Sequence, residues 1–171
     1  TVSVAGNFTV NESFTQGVTG VVDVSGTASI NQAIGDLVVN NLSGYDVDLT
    51  STAGVEVNNL DVTRNLTIVA GGDITQNPSG LLSVGGIASL TTPGNALLPN
   101  SNNQLGAVCV DANVVEIESA RELLLKTFDL ESIEKQKSAA SQFVYDTFVR
   151  YLPTDRVVNE KGGDGATWVG R

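Results

Sequence analysis

The chain has 171 residues and a mass of 17.8 kDa, with 19 Asp+Glu against 9 Lys+Arg, no His and a formal net charge of −10. That balance argues against a nucleic-acid partner, which needs a basic stripe, and the missing His excludes imidazole acid/base catalysis and His-ligated zinc within the chain. One cysteine allows no internal disulfide, while 41% hydrophobic residues suffice to bury a core.

A chain opening on Thr1 reads as a processed product or a piece of a longer protein. No charged start followed by an apolar stretch marks a leader within it. From the first residues onward the segments are short. Residues 7–10, 21–24, 27–30, 46–50, 55–57 and 65–69 alternate or cluster Val, Ile, Leu and Thr, which favours strands. Gly, Asn, Ser and Asp separate them and tolerate turns. Helical periodicity is absent before residue 120. Residues 74–110 carry no charge, yet Pro78, Pro93, Pro99 and several Asn interrupt them, so no apolar run approaches the roughly 20 residues a bilayer span needs.

The strands recur. Thr15, Gln16, Gly20, Val24, Gly26, Ala28 and Ser29 return as Thr75, Gln76, Gly80, Val84, Gly86, Ala88 and Ser89, an offset of 60 with no gap. Val22 becomes Leu82 and Ile30 becomes Leu90, and the match continues at Leu37/Leu97, Asn40/Asn100, Val55/Val115 and Glu56/Glu116. Evenly spaced strands suit a sandwich or barrel, but a tandem repeat favours a solenoid, whose units stack to share one core. With about 20 residues per coil, each unit makes three coils, and six coils form a column roughly 29 Å long. Inward positions then hold Val, Leu, Ile and Ala; outward ones hold Thr, Ser, Asn and Asp. The 15 Asn crowd strand ends, as left-handed turn residues or as side-chain ladders between coils.

Leu66–Gln76 (LTIVAGGDITQ), residues 81–91 (LLSVGGIASLT), Gly94-Asn95 and Leu105–Asp111 (LGAVCVD) resemble the repeats of filamentous-haemagglutinin-like exoproteins, large bacterial surface adhesins. Residues 6–30 and 44–57 look like a diverged copy of the same phrase. The resemblance covers roughly residues 6–125. It implies a right-handed parallel β-helix, an extracellular or cell-surface location, and a role in adhesion or biofilm. The family's secretion domain carries an NPNG-type motif near its start; only Asn77-Pro78-Ser79-Gly80 comes close here, and it sits mid-chain. The segment therefore reads as repeat shaft.

Composition changes near residues 120–130. Residues 1–120 hold one basic residue, Arg64, against 11 acidic ones; residues 121–171 hold 8 of each. This divides the chain into a shaft, 1–126, and a C-terminal part, 127–171. Residues 129–152 fit one amphipathic helix, with Ile133, Ala140, Val144, Phe148 and Tyr151 at helical spacing and Pro153 as its stop. It reads as a cap over an open end of the column, with docking to another subunit as the alternative. In the tail, Val157-Val158 and Trp168-Val169 could add a strand to another surface.

Catalysis on such a scaffold would need grouped carboxylates and a cation. Asp46 and Asp48 share a face of one strand, but Arg64 is the only cation of residues 1–120, so no catalytic residue is assigned. Gly71-Gly72-Asp73 and Gly162-Gly163-Asp164-Gly165 are fragments of a calcium nonapeptide; they read as turns, no metal ligand or cofactor is assigned, and Ca²⁺ is the one ion the oxygen-rich surface leaves open. Cys109, between Val108 and Val110, reads as a buried small hydrophobe. Asn-x-Ser/Thr triplets at Asn7, Asn11, Asn41 and Asn65 arise readily in an Asn- and Thr-rich chain and carry no assignment. The expectation is a non-enzymatic adhesive shaft whose partners are surface glycans or proteins. The alternatives are a filament subunit stacking end to end or by strand donation, and a carbohydrate-active β-helix.

Overall fold

The computed structural model describes residues 1–126, 158–161 and 166–169. Alternation of apolar and small polar residues becomes alternation of inside and outside. In β4 (Thr27–Gln32), Ala28 and Ile30 are buried; in β6 (Asp46–Ser51), Val47 and Leu49 are buried; in β8 (Leu66–Ala70), Leu66, Ile68 and Ala70 are buried. The polar residues between them face outward.

Over residues 1–126 no strand pairs with its neighbour in sequence. Each pairs, in parallel, with a strand roughly one coil away, giving a β-solenoid of about six coils with three faces. The first face stacks β1 (Val2–Val4), β3 (Val22–Val24), the ends of β5 (Leu37–Gly44) and β7 (Val55–Val62), and the starts of β10 (Leu82–Thr91) and β12 (Gln104–Asp111). The second face stacks β2 (Phe8–Glu12), β4, β6, β8, the ends of β10 and β12, and β14 (Leu124–Lys126). The third stacks the starts of β5 and β7, then β9 (Ile74–Gln76), β11 (Asn95–Leu98) and β13 (Val114–Ile117).

The register explains the 60-residue repeat. Val22, Leu42, Leu60 and Leu82 lie on successive rungs, as do Ala28, Val47, Leu66 and Ala88. Each residue therefore meets its repeat partner three coils up, as the sequence predicts. The equivalence fails at Leu37/Leu97 and, by the same slip, at Asn40/Asn100, since Asn100 Nδ2 donates to Gly80 O as Asn41 Nδ2 donates to Gly20 O. Leu37 stacks through Val55 and Ile74 onto Ala96, so Leu97 is not its counterpart and faces the other way. The third face has lost one residue per repeat there, while Val55/Val115 and Glu56/Glu116 remain true partners.

The core is one continuous apolar column from Val22 to Val110, with Val4, Phe8, Val10 and Phe14 packed against it at the first coil. Phe8 and Phe14 meet edge to face at 6.4 Å. Each fully buried Leu or Ile contributes about 1.5–3 kcal/mol relative to exposure. Coil by coil the column adds about 4.8 Å, because strand pairing runs along its axis.

Contacts divide the chain into two units, Thr1–Phe128 and Asp129–Arg171. The predicted helix over 129–152 lies outside the described residues. In the second unit, β15 (Val158–Lys161) and β16 (Ala166–Val169) pair with each other in antiparallel fashion, Val158 opposite Val169 and Asn159 opposite Trp168. Among the described residues no helix is long and apolar enough to cross a membrane.

Ile68 sits at the centre of the second face with no exposed surface. Ile68→Ala is expected to lower unfolding stability by about 2–5 kcal/mol in urea denaturation. Val69→Thr, on the adjacent outward position, should stay within about 0.5 kcal/mol of the parent.

Candidate functional site

A solenoid coil must turn three times, and at each corner the backbone ladder breaks. Side chains fill these gaps, and the Asn and Asp caps among them reach from a coil to the coil after it. Between the first and second faces, the N–H of Thr27 donates to Asn7 Oδ1 at 3.0 Å, that of Asn65 to Asp46 Oδ1 at 3.1 Å, and that of Ile87 to Asn65 Oδ1 at 3.1 Å. Between the second and third faces, the N–H of Gly54 donates to Asp36 Oδ1 and that of Asn95 to Asp73 Oδ1, both at 2.7 Å. These short carboxylate bonds are charge-assisted.

The third corner carries the asparagine ladder. Asn41 Nδ2 donates to Gly20 O at 2.9 Å, Asn59 Nδ2 donates to Asn41 Oδ1 at 3.0 Å, and the Leu81 N–H donates to Asn59 Oδ1 at 3.0 Å. A parallel line runs through Asn40, whose Oδ1 accepts from Asn58 Nδ2 at 2.6 Å. Asn58 Oδ1 ends that line, buried and without a partner. Of the two predicted roles for Asn, the ladder is observed and the left-handed turn is not: positive φ occurs at Gly6 and Gly35, and at no non-glycine residue described.

Sequence reasoning missed what the recurring Gln does. Coils one and four turn through residues 17–21 and 77–81, and Gln16 and Gln76 brace those turns. Gln16 Nε2 reaches Gly20 O at 3.1 Å and Gln76 Nε2 reaches Gly80 O at 2.9 Å. Gln76 also exchanges two 2.8 Å hydrogen bonds with Asn103, and both side chains are buried. The recurrence of Thr-Gln-x-x-x-Gly was the available signal. Gly80 is required in the turn because a Cβ there would lie 2.1 Å from the Asn58 carbonyl oxygen. Gly86 is required likewise, its Cβ falling 2.4 Å from Arg64 O.

The acidic pair considered for chemistry is placed as expected, with Asp46 and Asp48 on the outward side of β6. Asp46 is already engaged. Arg64 Nε donates to its Oδ1 at 2.8 Å, Arg64 Nη2 pairs with Oδ2, and the guanidinium lies 4.9 Å from the Tyr45 ring centroid. The Arg64 hydrogen bond holds the Asp46 carboxyl below its usual range, and the Asn65 N–H adds to this. Asp36 and Asp73 serve as corner caps, and Asp23 accepts from Ser43 Oγ at 2.6 Å. Among the described residues no three acidic or cysteine side chains gather as metal ligands. Gly71 and Gly72 lie in a corner that Asp73 caps, and Gly162–Gly165 lies outside the described residues. Cys109 stands in register with Ser89 and Lys126 on the outward row of the second face, and it is buried together with Val108 and Val110.

Residues 44–111, from the end of β5 to the end of β12, match a family described as "Repeats of unknown function (DUF5649)". The chain is a β-solenoid repeat protein. No curated protein and no solved structure matches it.

Gly86→Ala should destabilise the solenoid by about 1–3 kcal/mol through forced overlap with backbone. Gly106→Ala meets open space and should leave the urea midpoint nearly unchanged. Asp46→Asn has a pH signature. Because the folded-state carboxyl titrates lower than the unfolded one, its contribution is complete above about pH 4 and is lost as pH falls through the lowered value. Parent and variant denaturation midpoints should therefore differ at pH 7 and converge towards pH 2.

Proposed function

We propose that the chain is a section of the shaft of a bacterial surface exoprotein of the filamentous-haemagglutinin type, acting in adhesion as a rigid, extracellular spacer. The observation that carries this is the unbroken stack: six inward rows in register, with corner caps tying each coil to the next. Such a column resists bending, because any kink must open several strand pairs together. Its length grows in fixed steps per coil, which suits a part that holds a binding element away from a surface.

The resemblance of Leu66–Gln76 and of residues 81–91 to the repeats of that family supports the extracellular location. The exterior supports it too. The shaft carries one basic residue against 11 acidic ones over residues 1–120, a charge that keeps like columns apart and soluble. Surface glycans or proteins are the partners, reached by many weak contacts along repeated faces. No catalytic step is assigned. Asp46 is held ionised by Arg64, so it is a poor proton donor at neutral pH.

The test is location and reach in the native host. A tagged gene product should be found on intact cells by external protease and by antibody labelling, and deletion of one three-coil unit should shorten the projected tag without loss of folding. Retention inside the cell would overturn the reading. Asp46→Asn/Asp48→Asn should leave adherence unchanged, and incubation with polysaccharides should release no new reducing ends; cleavage lost in that variant would establish the enzymatic alternative.

A further inference from the structure

The wide turns leave a hollow between them. Coils two and three pass from third to first face without a loop, because β5 and β7 run straight through Asn40-Asn41 and Asn58-Asn59. The turns at 17–21 and 77–81 stand out on either side. Between them on the first face lies an open cleft of about 430 Å³. Val21, 38% exposed, closes one end; Leu81, 42% exposed, stands near the other, with Gln104 one rung beyond it. Three rungs separate Val21 from Leu81, roughly 14 Å along the axis.

The floor is largely apolar surface set with a few polar groups, some of them uncommitted. Ser43, Asp61 and Ser83 occupy successive rungs of one outward row. Among the described residues the Asp61 carboxylate and the Ser83 hydroxyl have no hydrogen-bond partner in the protein, whereas Ser43 is held by Asp23. Asn59 is fixed at both ends by Asn41 and Leu81, and keeps one amide N–H to offer. Asn59 is therefore pre-organised, and ordering it on binding costs little.

We propose that this cleft binds an uncharged, hydroxyl-rich oligosaccharide of roughly three rings, laid along the column axis with one ring per rung. The inference rests on the shaft reading and names its ligand class. A peptide strand gains nothing here, because the floor's backbone groups are already paired within the sheet. Recognition must come from side chains. Hydroxyls donate well to the Asp61 carboxylate, while Ser83 and the Asn59 amide both donate to and accept from neighbouring hydroxyls. The C–H faces of sugar rings suit Val21 and Leu81. Sulfated or uronic-acid glycans are disfavoured by Asp61, by Asp23 on the same row and by the negative field of residues 1–120, against the single guanidinium of Arg121, which bonds Gln104 at the far end of the cleft.

The experiment uses the full chain, titrated calorimetrically and by saturation-transfer NMR with neutral tetrasaccharides of glucose, mannose and N-acetylglucosamine, and with a heparin-derived tetrasaccharide. At least one neutral probe should bind saturably with millimolar affinity or better, and the heparin probe should not. Asp61→Ala and Ser83→Ala should each weaken binding by about tenfold or more without moving the urea midpoint, since neither side chain bonds to the protein. Failure of every neutral probe, preference for the heparin probe, or binding indifferent to both substitutions overturns the proposal. Surface display and adherence without saccharide binding sinks the cleft alone. Saccharide binding by a chain that stays inside its native host supports the cleft and sinks the shaft reading alone.

Discussion

A coil of parallel strands points its backbone donors and acceptors along the column axis, so no coil can satisfy itself. Everything else in this protein follows from that dependence. The apolar rows at Ala28, Val47 and Leu66, and at Ile30, Leu49 and Ile68, stack because pairing sets them about 4.8 Å apart in register. Burial and hydrogen bonding thus act on the same pairs of coils. Slipping one rung by a single residue would turn a row such as Val47 and Leu49 outward and bring Asp46 and Asp48 into the core.

The corners are where this dependence is hardest to meet, since strands cannot pair while the chain turns. Asp36, Asp46, Asn65 and Asp73 each offer an oxygen to an N–H of the following coil. Ser25, Gln32 and Ser119 reach the other way, each accepting from an N–H of the preceding coil, so the corners are tied from both sides. Coils two and three satisfy their third corner through asparagines, whereas coils one and four widen it and use Gln16 or Gln76. The wide corner braced by Gln recurs three coils apart, in coils one and four, while coil five widens its corner as well, at residues 99–103. The contrast between corners creates the relief on the first face, where straight ones sit low between wide ones.

This division explains which features the sequence made legible. Inward rows obey a simple alternation, so the strands at 27–30, 46–50 and 65–69 and the three-coil unit could be read directly. The long strand β5 could not, because Asn40-Asn41 reads as a turn when taken locally. Its amides are satisfied by Gln16 and Asn58, residues 24 and 18 positions away, which no local pattern displays. The same non-locality hid the brace at Gln76, whose partner Asn103 lies in the next wide turn. Asp46 and Asp48 were visible as a pair, but the engagement of Asp46 with Arg64 and Tyr45 depends on coils being neighbours in space. The one-residue slip at Leu37 shows the converse error: identity at a fixed offset is not equivalence when one face has shortened.

Like charges on a column of this kind face a special constraint, because every outward side chain has a copy of its own position one rung away. On the first face the row runs Ser3, Asp23, Ser43, Asp61, Ser83, Gln104. No two carboxylates are adjacent. Asp23 and Asp61 stand two rungs apart, about 10 Å, which is beyond the Debye length of roughly 8 Å at physiological salt. Directly opposed like charges would destabilise the sheet, and the interposed serines prevent this. The acidity of the shaft is therefore diluted along each row, and at the corners Asp36 and Asp73 accept from backbone N–H groups. A strongly negative exterior can in this way coexist with rungs packed as closely as strand pairing requires.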